Sequence, residues 1–167
     1  MKKILYILAI LSLSGCAYSF KGASTEGIKT VQVPLFENVS PLVVSTLAND
    51  FTEAFKERIR NQSKPSVVQG EADVRFEGRI TGYSIAPIAI QDNSNPIAGA
   101  NRMTITVAVK YTNNSESKSS QSFEENFTAF EDFSLNGQSL QSQERRLIGL
   151  ITAKLTENIF NRAFAQW

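Results

Sequence analysis

Two hydrophobic periods alternate along most of the chain. Apolar and polar residues alternate with period two in some segments and recur at three- and four-residue steps in others. The first pattern predicts half-buried strands and the second predicts amphipathic helices. Strands are predicted at residues 28–33, 73–85 (with Val67-Val68 extended before it), 102–112 and 121–133, and helices from Ser40-Pro41 to about Asn61 and from about 138 to 167. The predicted order of elements is therefore β-α-β-β-β-α.

The strand predicted at residues 102–112 has the clearest alternation in the chain. Its apolar face consists of Met103, Ile105, Val107, Val109 and Tyr111. In the preceding strand the apolar positions change parity after Gly82, which predicts a β-bulge at that point. Residues 86–100 contain two prolines and show no helical period. We therefore expect a long hairpin loop between the two strands.

The two predicted helices have recognisable local signals. A hydroxyl residue followed by proline, Ser40-Pro41, is typical of a helix N-terminus. Phe51 and Phe55 lie on the apolar stripe of the first helix, and we interpret them as core residues. Gly149 costs the second helix about 1 kcal/mol relative to alanine, so we expect it to allow close approach to the sheet.

These elements predict one α+β domain over residues 28–167. The expected fold is a two-layer sandwich, in which two helices cover one face of a small, mixed and mostly antiparallel sheet of about four strands. The other face of the sheet should then be polar. The residues predicted on it are Arg75, Glu77, Arg79, Thr104, Thr106, Lys110 and Thr128.

The first residues of the chain have the pattern of a secretory signal peptide. Lys2 and Lys3 precede an apolar run over residues 4–13. A basic start, a short apolar run and small residues are the three parts of such a signal. The run is too short for a membrane span, which needs about 20 apolar residues.

The segment Leu13-Ser14-Gly15-Cys16 ends this run and contains the chain's one cysteine. Its residue types match the bacterial lipobox, in which the cysteine is acylated and becomes the new N-terminus. We therefore expect residues 1–15 to be removed, Cys16 to carry the lipid, and residues 16–27 to form a short tether to the membrane. An ordinary signal peptide with a chance cysteine is the alternative.

Composition argues against catalysis. The chain contains no histidine, and its one cysteine is the expected lipid attachment site. Histidine-based triads and most zinc sites are therefore excluded. We expect a protein that is not an enzyme, with no catalytic residues, no metal and no cofactor other than the covalent lipid. The formal charge of +1 becomes −1 when Lys2 and Lys3 are removed, so nucleic acid is not an expected partner.

Four cationic residues lie at the alternate positions of two predicted strands that point to the polar face: Arg75, Arg79, Arg102 and Lys110. Guanidinium groups suit phosphate and carboxylate groups, so these residues are candidates for contact with an anion. Glu77 lies between the two arginines of the first strand. Cross-strand ion pairs on a solvated face are therefore the alternative interpretation.

Several longer segments resemble a known family. The lipobox followed by AYSF, the segment VQVPLFEN, the helix beginning SPLVVSTLANDFTEAFKERI, and the strands FEGRITGYSIAPIAI and NRMTITVAVKYTN are similar to the Bacteroidetes branch of the LptE lipopolysaccharide-assembly lipoproteins. The resemblance spans essentially the whole chain. It implies a lipid-anchored, periplasm-facing protein of the outer membrane that plugs the LptD β-barrel, assists its assembly and contacts lipopolysaccharide.

Two other functions remain open at this point. A periplasmic adaptor lipoprotein that regulates a cell-wall synthase or a secretion channel could contain a similar strand-helix-strand order, although such proteins usually have a longer, proline-rich tether. A surface glycan-binding lipoprotein would be expected to expose several aromatic residues. The single tryptophan, Trp167, lies at the end of an apolar stripe, which does not favour that function.

Overall fold

The computed structural model describes residues 25, 27–42, 44–90, 97–115 and 121–165. The predicted signal peptide, Cys16 and Trp167 lie outside the described residues. Lipid attachment at Cys16 therefore stays a prediction.

One mixed sheet and two helices form the described part of the chain. In order the elements are β1 (Thr30–Gln32), β2 (Glu37–Asn38), α1 (Leu47–Gln62), β3 (Ser66–Val68), β4 (Val74–Ile90), β5 (Ile97–Asn113), β6 (Phe123–Ser134) and α2 (Leu140–Phe164). The strand order is β3-β1-β4-β5-β6, and β2 also lies beside β4. The pairs β1–β3, β1–β4 and β2–β4 are parallel, and β4–β5 and β5–β6 are antiparallel. The predicted α+β fold is confirmed, with more strands than expected.

The hydrophobic core lies between the two helices and one face of the sheet. Aromatic rings run through it in contact: the ring centroids of Phe55 and Phe76 are 4.9 Å apart, and those of Phe76 and Tyr111 are 4.8 Å apart. Such tilted and edge-on pairs stabilise a core beyond the area that they bury. Phe51 and Phe55 are both fully buried, which confirms their predicted place in the core.

The prediction that α1 begins at Ser40-Pro41 is wrong. The hydroxyl group of Ser40 donates to the carbonyl oxygen of Leu42 at 2.8 Å, and its backbone N–H donates to the side chain of Asn38 at 3.1 Å. These bonds form a turn instead of a helix cap. The helix begins at Leu47, where the carbonyl oxygen of Thr46 accepts the N–H of Asp50 at 2.9 Å.

The segment before that turn contains a short strand where the alternation predicted only a connection. The backbone N–H of Phe36 donates to the hydroxyl of Thr52 on α1 at 3.0 Å, and the fully buried ring of Phe36 lies against Gly78. A Cβ atom at Gly78 would come within 2.1 Å of that ring. Glycine at this position of β4 therefore allows β2 to pair with the sheet.

The region predicted as a long loop at residues 86–100 is largely strand, so that prediction is wrong. β4 continues to Ile90 and β5 starts at Ile97, because the two strands keep pairing beyond the mixed sequence around Pro87. The predicted bulge at Gly82 is confirmed. The register advances by two residues on β4 and one on β5 between Ile80 and Gly82.

Gly149 does not approach the sheet, contrary to the prediction. It lies on the exposed side of α2, and a Cβ atom built on it would meet nothing within 4 Å. The helix contacts the core through its other side, which includes Leu147, Ile151 and Leu155.

Candidate functional site

The candidate site is the sheet face turned away from the helices, which we call the open face. Register places the predicted polar residues on it: Glu77 of β4 lies opposite Lys110 of β5, and Thr106 of β5 lies opposite Thr128 of β6. The hydroxyl oxygens of these two threonines are 3.0 Å apart. Strand alternation therefore predicted the polar surface of the fold.

Three of the four candidate cations cluster around one carboxylate at one end of the open face. Arg75 Nη2 is 2.9 Å from Glu77 Oε1, and Arg75 Nη1 donates to Gln32 at 3.0 Å. Lys110 lies opposite Glu77, and Arg79 is two residues further along β4. Neither Lys110 nor Arg79 has an ion-pair partner within 4 Å in the part of the chain that the structure describes. Both can therefore turn toward a ligand.

Two further carboxylates border this cluster. Glu37 of β2 is in register with Arg79, and Glu124 of β6 is in register with Lys110. With Glu77 they balance the three cations, so the cluster mixes both signs instead of forming a purely basic patch. Glu37 could not be placed from the sequence because its short strand was not predicted.

Arg102, the fourth candidate, lies elsewhere on the face. It is eight residues from Lys110 on the same strand, which is about 27 Å at the usual rise per residue. Its Nε and Nη2 atoms donate to the two carboxylate oxygens of Asp132 at 2.7 and 2.9 Å. Its guanidinium carbon is 3.8 Å from the ring centroid of Phe130. The four predicted residues therefore share a face but not a site.

The ion pair with Asp132 shifts the titration of both partners. Hydrogen bonding to Arg102 lowers the pKa of the Asp132 carboxyl group below its usual value, and the same bonds raise the pKa of Arg102. Arg102 is thus already occupied by a carboxylate and an aromatic ring. It is less able than Arg79 or Lys110 to meet an external anion.

A groove between α1 and α2 lies on the opposite side of the molecule. Its volume is about 660 Å³, and acidic and basic side chains both line it. Arg58 crosses it and donates to the carbonyl oxygen of Ala153 and the hydroxyl of Thr156, both at 3.0 Å. Arg58 is thus engaged in joining the two helices. Among the described residues, no group of three acidic, histidine or cysteine side chains could hold a metal ion.

A family model matches this fold over most of its length. The model is described as LptE, lipopolysaccharide-assembly, and it matches residues 28–163. The chain belongs to the LptE family. The family match covers every strand and all but the last residue of α2. No curated protein matches the chain significantly.

Solved structures share the fold at low sequence identity. The hypothetical protein CT253 from Chlamydia trachomatis has a TM-score of 0.56 at 12% identity, covering 81% of this chain and 95% of that one. Protein XCC0632 from Xanthomonas campestris has a TM-score of 0.55 at 8% identity, covering 85% and 86%. A putative neuraminyllactose-binding hemagglutinin homolog from Helicobacter pylori has a TM-score of 0.51 at 10% identity, covering 86% and 88%. At these identities the likeness concerns the fold alone. Neither of the two helices that the structure describes has the length and hydropathy of a membrane span.

Proposed function

We propose that this LptE-family chain is a non-catalytic lipoprotein of lipopolysaccharide transport. In this proposal Cys16 carries the lipid anchor at the periplasmic side of the outer membrane. The domain plugs an LptD-type β-barrel and assists its assembly, and the open face contacts lipopolysaccharide. The family match over residues 28–163 is the observation that carries the proposal.

The open face supports the plug. The interior wall of a water-filled barrel is polar, so a domain inserted there must present a hydrated surface instead of an apolar one. The open face meets this requirement with hydroxyl groups along its middle and charges of both signs at its ends. A mixed surface can pair with lumen charges of either sign.

The cluster around Glu77 supports contact with lipopolysaccharide. The phosphate groups of that lipid are the anions that arginine and lysine bind well. Arg79 and Lys110 lie on diagonal positions of neighbouring strands, within reach of one such group. We therefore assign the contact with the phosphate group to these two residues. Arg75 and Arg102 could contribute only if the phosphate displaced the carboxylate that each now binds.

Depletion of the chain tests the proposal as a whole. We expect less lipopolysaccharide at the cell surface and less folded barrel, with the barrel co-purifying with the chain after detergent extraction. Unchanged surface lipopolysaccharide together with altered peptidoglycan would instead support a cell-wall regulator.

A double charge reversal, Arg79→Glu with Lys110→Glu, tests the contact itself. We expect surface lipopolysaccharide to fall several-fold during complementation of the depleted strain, while the chain accumulates normally. The matched control is Arg145→Glu with Arg146→Glu, which makes the same change of charge at two exposed positions of α2. Equal behaviour of the two variants would contradict the assignment.

A further inference from the structure

Exposed apolar side chains are concentrated in one short segment, residues 35–42, which we call the apolar turn. Six large apolar side chains are exposed in the described part of the chain, and three of them, Leu35, Val39 and Leu42, lie in this segment. They are 60%, 53% and 58% exposed. Glu37 is the one charged residue of the segment. Single exposed apolar residues are ordinary, but a group of them in one segment marks a contact surface.

Hydrogen bonds hold the apolar turn in this exposed shape. The side chain of Asn38 accepts the backbone N–H of Ser40 at 3.1 Å and donates to the carbonyl oxygen of Val44 at 3.3 Å. The backbone N–H of Val39 donates to the carbonyl oxygen of Ile80 on β4 at 3.0 Å. The apolar side chains therefore project from a fixed backbone, so binding of the turn costs little conformational entropy.

Cationic residues border the apolar turn. A cavity of about 360 Å³ between the turn and the second half of α1 has Leu35, Lys56 and Arg60 in its lining. Lys56 pairs with Glu53 at 2.8 Å, whereas Arg60 and Lys64 have no ion-pair partner within 4 Å among the described residues. Apolar side chains beside cations match an anionic membrane surface, where the apolar groups enter the acyl boundary and the cations meet the phosphates.

The start of the domain lies beside these cations. The backbone N–H of Ser66, two residues after Lys64, donates to the carbonyl oxygen of Lys29 at 2.9 Å. Lys29 is the residue before β1, and the expected tether leads into it. The tether and the cations therefore share one side of the domain.

The tether is long enough for the apolar turn to reach the membrane. The start of β1 is held by Asp73, and the turn is held by Ile80, seven residues further along the sheet, which is about 23 Å. Thr25, the first described residue, is nine positions after Cys16, and nine residues span at most about 30 Å. A domain anchored through Cys16 can therefore lay its turn on the same membrane.

We propose that the apolar turn, together with Arg60 and Lys64, docks the domain on the anionic surface of the membrane in which Cys16 is anchored. The three apolar side chains enter the boundary between headgroups and acyl chains, and the two cations bind lipid phosphates. Because the anchor already concentrates the domain at the surface, a weak contact is sufficient. This docking requires the lipid anchor of the proposed function but not the barrel, and it belongs to the chain before it enters the barrel.

Fluorescence quenching in vesicles tests the docking. The mature lipidated chain is reconstituted into vesicles that contain phosphatidylglycerol and a lipid with a quencher on its acyl chain. An environment-sensitive dye is attached at Leu42→Cys, while the thiol of Cys16 is blocked by its lipid. The control is Asn158→Cys, an exposed position of α2 between Lys154 and Arg162, over the opposite edge of the sheet. We expect several-fold greater quenching at Leu42→Cys. Equal quenching at the two positions, or burial of the Leu42→Cys dye only when the barrel is added, would overturn the proposal.

Charge reversal tests the part of the cations. Arg60→Glu with Lys64→Glu should lower the quenching at Leu42→Cys several-fold in vesicles with phosphatidylglycerol, and less in vesicles of phosphatidylcholine alone. Arg145→Glu with Arg146→Glu makes the same change of charge at exposed positions of α2 and should leave the quenching unchanged. Equal loss in both variants would overturn the proposed surface, because net charge alone would then explain the result.

Mass spectrometry of the reconstituted chain separates failure of the docking from failure of the proposed function. A chain that carries no lipid on Cys16 would overturn the proposed anchor, and the docking with it. A lipidated chain that is quenched equally at both dye positions would overturn the docking alone.

Discussion

The two long edges of the sheet are built differently. At the edge of β6, side chains from α2 reach over the strand: Lys154 Nζ donates to the carbonyl oxygen of Phe130 at 3.1 Å and pairs with Glu131 at 2.8 Å. Arg162 pairs with Glu125 at 2.6 Å, and its guanidinium carbon is 4.4 Å from the ring centroid of Phe123. At the edge of β4 beyond Ile80 no charged residue is present in the strand.

This difference indicates that the two edges are protected by different means, and that at β6 the charged side chains come from the neighbouring helix. Individual exposed ion pairs contribute little to stability. Their position over the β6 edge suggests another effect, since a lysine bonded to an edge carbonyl occupies an acceptor that an incoming strand would need. The β4 edge instead contains Pro87 and the bulge at Gly82, two other features that limit pairing with an incoming strand.

The largest effect is expected where β2 pairs with β4, next to Gly78. Gly78→Val should force the ring of Phe36 out of its place and release β2, because even a Cβ atom would lie 2.1 Å from that ring. We expect a loss of at least about 1–3 kcal/mol in the free energy of unfolding, measured by denaturant titration.

A second glycine provides the control. The methyl group that Gly149→Ala adds would have no atom within 4 Å, and the position lies in a helix. The substitution should therefore stabilise the protein by up to about 1 kcal/mol. Similar stability of the two variants would contradict the packing described for Gly78.

An intermediate effect is expected when the β6 edge is opened. Lys154→Ala with Arg162→Ala should lower the free energy of unfolding by less than about 1 kcal/mol for each pair. Self-association should nevertheless increase, as measured by sedimentation, because the carbonyl oxygen of Phe130 is released and both positive charges over the edge are removed. Arg145→Ala with Arg146→Ala removes the same charge from exposed positions of α2. If this control associates equally, net charge and not edge protection is the cause.

The smallest effect is expected from acid titration of Asp132, which joins β6 to Arg102 of β5. The folded-state pKa of this carboxyl group is lowered, first by its hydrogen bonds to Arg102. Its stabilisation is therefore present above the unfolded pKa and is lost as the pH falls through the folded pKa. We expect Asp132→Asn to be slightly less stable than the parent near neutral pH, and the difference to disappear in acid. Thermal unfolding measured across that range checks this, and a difference that persists in strong acid would contradict it.

Periodicity predicted the buried and exposed faces of the long elements well. The alternation at residues 102–112 gave both the core residues of β5 and the polar residues of the open face, and the change of parity at Gly82 gave the bulge. These features follow because successive side chains along a strand point to opposite faces of the sheet. They require no knowledge of which strand lies beside which.

The short and irregular elements were not predicted correctly. β2 has two residues, too few to show a period, and it exists because Phe36 packs against Gly78 of a distant strand. Ser40-Pro41 has the local pattern of a helix start, but Asn38 binds the same serine and forms a turn. In both cases a contact outside the local window decided the structure.

The fold class, the core face of each long element and the polar character of the open face could all be predicted from the sequence, because side-chain period and burial are local properties. The clustering of Arg75, Arg79 and Lys110 around Glu77, and the binding of Arg102 to Asp132 far along the same face, became visible only in the folded protein. The same holds for the protection of the β6 edge, because Lys154 and Arg162 reach β6 only when α2 is packed on the sheet. Pairing across strands depends on register and layer packing, which the period of a single strand does not contain.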